Sequence, residues 1–469
     1  MFPVLLPDLL LGLTALAVFV ADVGLPARRA GRWCYHLTWV GLLTVLGAQL
    51  AVAGDEFRLG NYQVRAWTVP FRLAVLVASL LGTVLLHAFF SGRIKRDIIR
   101  APGVLLTLLL VVTMGGFVVS ASQDLITFVV GLEMATIPLY AMASFSRDRE
   151  SAEASVKYLL VGGLSTAFML FGCSYLYGAA GALDFAGLAA GLADAGILAD
   201  VGMLLIVGAI AFKLGAVPFH MWAPDVYAGA PSAVTALIAS GSKATGILAL
   251  LLLLDGPLAP VAERLDLLLM ILAVSSLVVG NLGALQQRHF PRFMAYSSIA
   301  QAGFILLAFL GDALTKPALA FFILVYVLAN FTAFIVFNIL AERRDESMRA
   351  LHGLSRQSPL VALALLVAMF SLAGIPPFGG FLGKLQLLFA AAEGTHYLLV
   401  AFAAANALVG LYYYIVVVRE AYAVEPQGDC QDLAITFPQR FALVLLVIGL
   451  ILSGVWNGPH TWVAGLCGG

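Results

Sequence analysis

Charge is what this sequence has least of: Asp, Glu, Lys and Arg make up 11% of its 469 residues, against about 25% in soluble domains. That shortage excludes an ordinary water-covered globule. The charges it has are balanced, 26 basic against 26 acidic, and no basic tract or aromatic-interleaved patch suggests nucleic acid. Cysteine is sparse too. Cys34, Cys173, Cys430 and Cys467 are scattered without a C-x-x-C pair, which gives no zinc, iron–sulfur or disulfide signature, so any electron transfer belongs to other chains. The opening residues, MFPVLLPDLLLGLTALAVFVADVG, lack a basic leader and a convincing small-residue cleavage site, and read as a retained first span. What fills the chain is apolar residues: 62% hydrophobic, with a mean hydropathy of +0.99.

Apolar runs of about 20 residues, the length that crosses a hydrocarbon core about 30 Å thick, recur almost from end to end and leave no soluble domain over. They predict an all-α polytopic membrane protein of about fourteen transmembrane helices, at 3–25, 35–53, 73–91, 103–120, 123–145, 155–178, 200–221, 231–254, 265–286, 292–311, 317–341, 358–389, 396–418 and 441–457. Basic residues concentrate in cytoplasmic loops. With the N-terminus outside, the inner loops hold Arg28, Arg29, Arg32, Arg93, Lys95, Arg96, Arg100, Arg147, Arg149, Arg288, Arg292, Arg343, Arg344, Arg349, Arg356, Arg419 and Arg440. The outer loops hold only Arg58, Arg65, Arg72, Arg264 and Lys316, so both termini are expected on the outer side.

The remaining four cations, Lys157, Lys213, Lys243 and Lys384, fall inside spans, and all are lysines. An ammonium can lose its proton when desolvated, whereas a guanidinium in practice cannot, so lysine suits a proton relay. A charge at mid-bilayer costs at least ~2.5 kcal/mol and usually faces water or an opposite charge. Glu133, in FVVGLEMATIPLYAMASF, is followed one turn later by Pro138, which weakens the helix locally. It reads either as a proton carrier or as half of a structural ion pair that pins two helices.

The densest stretch, AFKLGAVPFHMWAPDVYAGAPSAVTALIASGSK over 211–243, carries Lys213, His220 and Lys243. Gly215 and Pro218 interrupt the span just after Lys213, and such a break can line a hydrated cavity. The alternative is a kink made only for packing. His220, beside Trp222, reads equally as an interfacial histidine or a proton entry point. A second broken span, MFSLAGIPPFGGFLGKLQLLFAA over 369–391, has Pro376, Pro377, Gly379 and Gly380 at its break and Lys384 beyond. FKLGAVPFH and FSLAGIPPFGG echo each other five spans apart, an odd spacing that inverts the second copy and points to an inverted-repeat core. Lys157 lies about a turn inside its span near Glu150 and Glu153, where reaching back to the surface competes with a relay role. Ser297, Ser298 and Gln301, in RFMAYSSIAQAGF, can hydrogen-bond water or neighbouring helices.

The segments LEMATIPLYAMASF, EASVKYLLVGG, FKLGAVPFHMWAPDVYAGAPSAVTALIASGSKA, RFMAYSSIAQAGF, AGIPPFGGFLGKLQLL and YYYIVVVREAY resemble the antiporter-like membrane subunits of complex I, the proton-pumping NADH:quinone oxidoreductase, over nearly the whole chain. WAPDVYAGAPS followed by Ser242 and Lys243 is similar to the N-subunit branch, where the L and M subunits and the multi-subunit cation/proton antiporters usually read WLPDA. Lys384 fits N or L, since M usually has glutamate there, and the long lateral helix of L is missing. The resemblance implies three leading helices over 1–102, inverted five-helix repeats of spans 4–8 over 103–254 and spans 9–13 over 265–418, and a last loop and helix over 419–469. It implies that Glu133 pairs with Lys213, that Lys243 is the central carrier, that Lys384 is terminal toward the outside and that Lys157 is a secondary site. It departs at Gln301, where many relatives carry histidine.

The function implied is proton translocation across a bacterial inner membrane, driven by NADH oxidation and quinone (ubiquinone) reduction elsewhere, with no cofactor or metal in this chain and no catalysis of its own. FMN, iron–sulfur clusters, NAD and quinone belong to partner subunits, with the antiporter-like M subunit and the small K and J subunits as neighbours. The alternative function is a multi-subunit cation/proton antiporter; a scaffold whose buried charges only lock helices together is the second rival.

Overall fold

The computed structural model describes residues 2–90, 102–193, 196–341, 347–425, 433 and 435–468. Arg93, Lys95, Arg96, Arg100, Arg343, Arg344 and Cys430 lie outside the described residues. Long apolar runs form helices because, in lipid, every backbone N–H and C=O needs a partner within the protein. The order opens with α1 (Leu6–Gly24) and α2 (Ala27–Ala51), then a hairpin of β1 (Phe57–Leu59) and β2 (Tyr62–Val64). Next come α3 (Val69–Phe90), α4 (Pro102–Ala121), α5 (Leu125–Ala143), α6 (Arg149–Ala180), α7 (Phe185–Leu192), α8 (Ile197–Leu214), α9 (Trp222–Gly229), α10 (Ser232–Leu237) and α11 (Lys243–Asp255). The second half holds α12 (Asp266–Leu285), α13 (Phe290–Ala308), α14 (Thr315–Ala341), α15 (Leu354–Gln357), α16 (Pro359–Ala373), α17 (Gly379–Glu393), α18 (Tyr397–Tyr422), α19 (Phe437–Val455) and α20 (Gly458–Leu466).

Twelve described helices are long and apolar enough to cross a membrane, and the chain is a multi-pass membrane protein. Fourteen requires two more. One is α13, whose Arg292, Ser297, Ser298 and Gln301 dilute its apolar character; the other is the expected span at 358–389, which is two helices, α16 and α17, of 15 residues each. Three of the acids between spans serve as caps. Asp124, Asp148 and Asp184 accept from the backbone N–H groups of Thr127, Ser151 and Gly187 at the starts of α5, α6 and α7, satisfying donors that a helix start leaves free.

The most enclosed elements are α3, α13, α14 and the run from α10 to α11, and α3, α10 and α14 pack against one another in the middle of the bundle. Between α10 and α11, residues Ile238–Ser242 make a π-turn, a bulge that recurs at functional positions, and Lys243 follows it. Glu133 rides on α5, which runs through Pro138 as one element.

One expectation fails. Arg72, counted in an outer loop, stands in the first turn of α3 with no exposure. Its guanidinium pairs with Asp8 at 3.1 Å, donates to Ser120 Oγ at 2.6 Å, and lies 4.6 Å from the Phe117 ring. Tyr62 donates to the same Asp8. The buried cations therefore are not all lysines: a permanently charged arginine ties α1, α3 and α4 together, and because it cannot discharge it acts as a clamp. The misreading arose because α3 begins at Val69, earlier than hydropathy around an arginine suggests.

Candidate functional site

Both broken spans end their first half alike. Gly215, with φ +68°, follows α8; its N–H donates to the Phe212 carbonyl, and the Ala216 N–H reaches back to Ala211. Gly374, with φ +84°, follows α16, and its N–H and that of Ile375 donate to Ser371 and Phe370. This is the left-handed glycine stop in which the last carbonyls are retied by the two residues beyond the helix. Prolines then prevent the helix from resuming: Pro218 in one link, Pro376 and Pro377 in the other.

Different side chains meet the carbonyls freed at each break. At the first, Trp222 Nε1 donates to Phe212 at 3.2 Å, and the indole stacks on Tyr158 with ring centroids 4.7 Å apart. At the second, Gln301 Nε2 donates to Leu372 at 3.0 Å, and Lys384 Nζ to Ala373 at 3.3 Å.

Lys213, in the last turn of α8, is sealed from solvent. Its Nζ lies 3.1 Å from Glu133 Oε1 and 3.1 Å from Thr136 Oγ1. Thr166 Oγ1 donates to the same carboxylate oxygen at 2.9 Å. Glu133 is the wetter partner, with its side chain 14% exposed against 1% for Lys213. The expected pair is thus present in contact geometry, held by two threonines that sequence reading did not single out. Thr136 carried a signal, standing one helical turn after Glu133.

Lys243 has no carboxylate partner among the described residues. Its Nζ donates to both Ser298 Oγ and the Ser298 carbonyl at 2.6 Å and sits 5.7 Å from the Tyr326 ring centre. Ser298 Oγ is shared with Tyr227 at 3.2 Å and Tyr326 at 3.1 Å. Lys384 sits 4.8 Å from the centre of the Phe304 ring. It borders a small cavity with about 10 Å³ open to the centre of a water molecule, also lined by Gln301, Tyr326 and Ser371. Tyr326 thereby joins the surroundings of Lys243 to those of Lys384. No direct hydrogen bond or ion pair links Lys213, Lys243 and Lys384 to one another among the described residues.

Lys157 stands apart. Its side chain is 42% exposed, 2.6 Å from Asp225 and 2.8 Å from Glu153, and Arg292 lies 3.8 Å from Asp225. That is surface geometry, with the ammonium in a carboxylate bridge between α6 and α9. Asp225 went unweighed although it lies in WAPDVYAG. His220 is half-buried in the link between α8 and α9.

Residues 122–410 match the family model described as NADH:quinone oxidoreductase/Mrp antiporter, TM. A curated relative from Trichlorobacter lovleyi, NADH-quinone oxidoreductase subunit N, is 34% identical over 96% of this chain and 94% of its own length. The chain belongs to the NADH-quinone oxidoreductase subunit N family. Within it, NAD(P)H-quinone oxidoreductase subunit 2 of Thermosynechococcus vestitus is 33% identical over 97% of this chain and 90% of its own length. A chain of respiratory complex I from Thermus thermophilus with bound aureothin superposes with a TM-score of 0.82 at 32% identity, covering 97% of this chain and 98% of that one. A chain of the Mrp complex from Dietzia sp. shares the fold alone, with a TM-score of 0.85 at 21% identity over 98% of this chain and 97% of that one.

Proposed function

We propose that this chain is the proton-translocating subunit N of a bacterial NADH:quinone oxidoreductase. In this reading it carries no redox group and moves protons outward through Glu133, Lys213, Lys243 and Lys384, driven by electron transfer in partner subunits. Those partners hold FMN, iron–sulfur clusters, NADH and quinone, and the M, K and J subunits are its membrane neighbours. The chain sits in the inner membrane with both termini outside, the arginine-rich loops inside and Lys157 a secondary group near the inner face.

The observation that carries the reading is the largely buried pair of Lys213 and Glu133, 3.1 Å apart, beside two further buried lysines that have no carboxylate partner among the described residues. A near carboxylate favours the ammonium, and withdrawing it leaves a charge whose desolvation favours proton release. If the pair opens, the proton moves toward Lys243, and the two groups titrate as a coupled unit. Lys157, bridged at the surface, contributes by holding protons near the entrance.

Two inverted five-helix repeats, over 103–254 and 265–418, complete the proposal, with 1–102 and 419–469 flanking them. They are supported by the matched helix stops at Gly215 and Gly374 and by two close helix crossings. A Cβ on Gly115 in α4 would lie 2.3 Å from Ala135 N in α5, and one on Gly280 in α12 would lie 2.4 Å from Ala300 N in α13. The same number of residues separates Gly115 from Gly280 as separates Ala135 from Ala300, which makes Ser298 the counterpart of Glu133 and Gln301 that of Thr136.

Substituting Glu133→Ala in the assembled complex tests the proposal. Proton pumping in proteoliposomes should fall while the chain stays assembled, and full retention of pumping removes the pair from the mechanism. The Mrp-like fold keeps a cation/proton antiporter as the second reading. Sodium-dependent proton flux without NADH, from a preparation lacking quinone reductase activity, would favour it.

A further inference from the structure

Gln301 is 1% exposed, yet its Oε1 has no hydrogen-bond partner among the described residues. A buried amide oxygen left bare loses its hydration with nothing in return, so buried polar atoms are nearly always paired with protein or with ordered water. The orientation of this amide is determined. Both Nε2 hydrogens are committed, one to the Leu372 carbonyl at 3.0 Å and one to the Tyr414 hydroxyl at 3.2 Å. Tyr414 is itself fixed by Ser297 Oγ at 2.5 Å. Turning the amide over would bring two carbonyl oxygens together. The oxygen is what remains for the cavity that Gln301 lines with Ser371, Tyr326 and Lys384.

That cavity has about 10 Å³ open to a water centre, close to the roughly 10–15 Å³ that a single water occupies by this measure. A water also needs two to four polar partners. Gln301, Ser371, Tyr326 and Lys384 are the lining residues with polar side chains, and Gln301 Oε1 is the atom among them that lacks a partner among the described residues.

We infer that Gln301 holds one structural water in this cavity, and that this water hands a proton from the Lys243 cluster to Lys384. The inference rests on the proposed function above. A primary amide does not carry a proton at neutral pH, so Gln301 is a positioning residue and the water is the carrier. In the transfer, the Tyr326 hydroxyl, which donates to Ser298 Oγ at rest, first turns toward the cavity and releases its proton to the water. Ser298 then passes its own proton to the Tyr326 oxygen as Lys243 gives one to Ser298 Oγ. The water then protonates the free amine of Lys384. One proton leaves Lys243 and one arrives at Lys384, while Ser298, Tyr326 and the water each end with the number of protons they began with.

The experiment uses the complete complex in proteoliposomes and compares Gln301→Met, Gln301→His and Lys243→Ala. Methionine keeps most of the side-chain volume but cannot hold the water. Gln301→Met should lower the NADH-driven pumping rate at least about fivefold, the rate equivalent of one lost hydrogen bond. Gln301→His restores a polar atom at the cavity and should recover pumping, with a new pH dependence near the histidine range, about 6.5. A residue that only packs would tolerate Met and gain no pH dependence from His. Wild-type pumping in Gln301→Met together with loss in Lys243→Ala overturns the inference and leaves the proposed function standing. Wild-type pumping in Lys243→Ala overturns the proposed function itself. Should Gln301→Met fail to assemble, a cryo-EM map of the unaltered complex at water-resolving resolution decides. Density within hydrogen-bond distance of Gln301 Oε1 and Lys384 Nζ supports the site, and a dry cavity overturns it.

Discussion

The two broken spans share a backbone and differ in chemistry. In the first, Lys213 lies before the break, in the last turn of α8, where the helix end favours a cation, and Glu133 meets it at 3.1 Å. In the second, Lys384 lies after the break, on α17, and its Nζ meets the Ala373 carbonyl and the Phe304 ring. One site is an ion pair and the other a cation held by dipoles. The same glycine stop and proline link therefore surround two kinds of buried lysine, according to which side of the break bears the lysine and what faces it. Arg72 with Asp8 is a third kind, an ion pair whose cation cannot discharge.

The largest effects should appear where a pair is broken. Lys213→Met leaves Glu133 without its cation, and Glu133→Ala leaves a buried ammonium; each should cost about 3–5 kcal/mol, as should Arg72→Met opposite Asp8. Thermal unfolding of the detergent-solubilised chain reads this. The double variant Glu133→Ala/Lys213→Met should recover most of the stability without recovering pumping, which separates the structural from the functional use of the pair; if stability is not recovered, the pair is not what the site lost.

Next come the crossings that both halves share. Gly115→Val and Gly280→Val each push a side chain into a facing backbone and should cost about 1–3 kcal/mol. Similar losses in melting temperature would support a common architecture for the halves, and a large inequality would argue against it. A smaller effect belongs to Ser371, whose Oγ accepts from the Gly380 N–H at 3.2 Å across the second break. Ser371→Ala should destabilise by about 1 kcal/mol, with no matching loss at the first break. The smallest stability change is expected for Lys384→Met. Among the described residues no carboxylate pairs with Lys384, so the melting temperature should hold or rise while pumping falls. A steep loss of stability would mean that an acidic partner supports Lys384 in the assembled protein.

Much of this was legible in the residues. A lysine or glutamate in an apolar run stands out because burying it is costly, so Glu133, Lys213, Lys243 and Lys384 could be picked out before any geometry. Gly215 with Pro218, and Pro376 with Pro377, marked the breaks because those residue types end helices. Arg72 was missed for the complementary reason. At the edge of a span, a buried arginine and a loop arginine look alike, and its partner Asp8 is far away in sequence.

The sequence by itself determined that the chain is built of membrane-length apolar helices, where two of them break and that Glu133, Lys213, Lys243 and Lys384 interrupt apolar runs, since these follow from local composition and the cost of charge in lipid. Tertiary structure alone decided what each buried group meets: that Lys213 reaches Glu133, that Lys243 reaches Ser298, that Lys157 ends at the surface with Asp225, and that Gln301 and Lys384 border one cavity. Those contacts join residues 55 to 83 positions apart, and helix packing, which no local pattern encodes, brings them together.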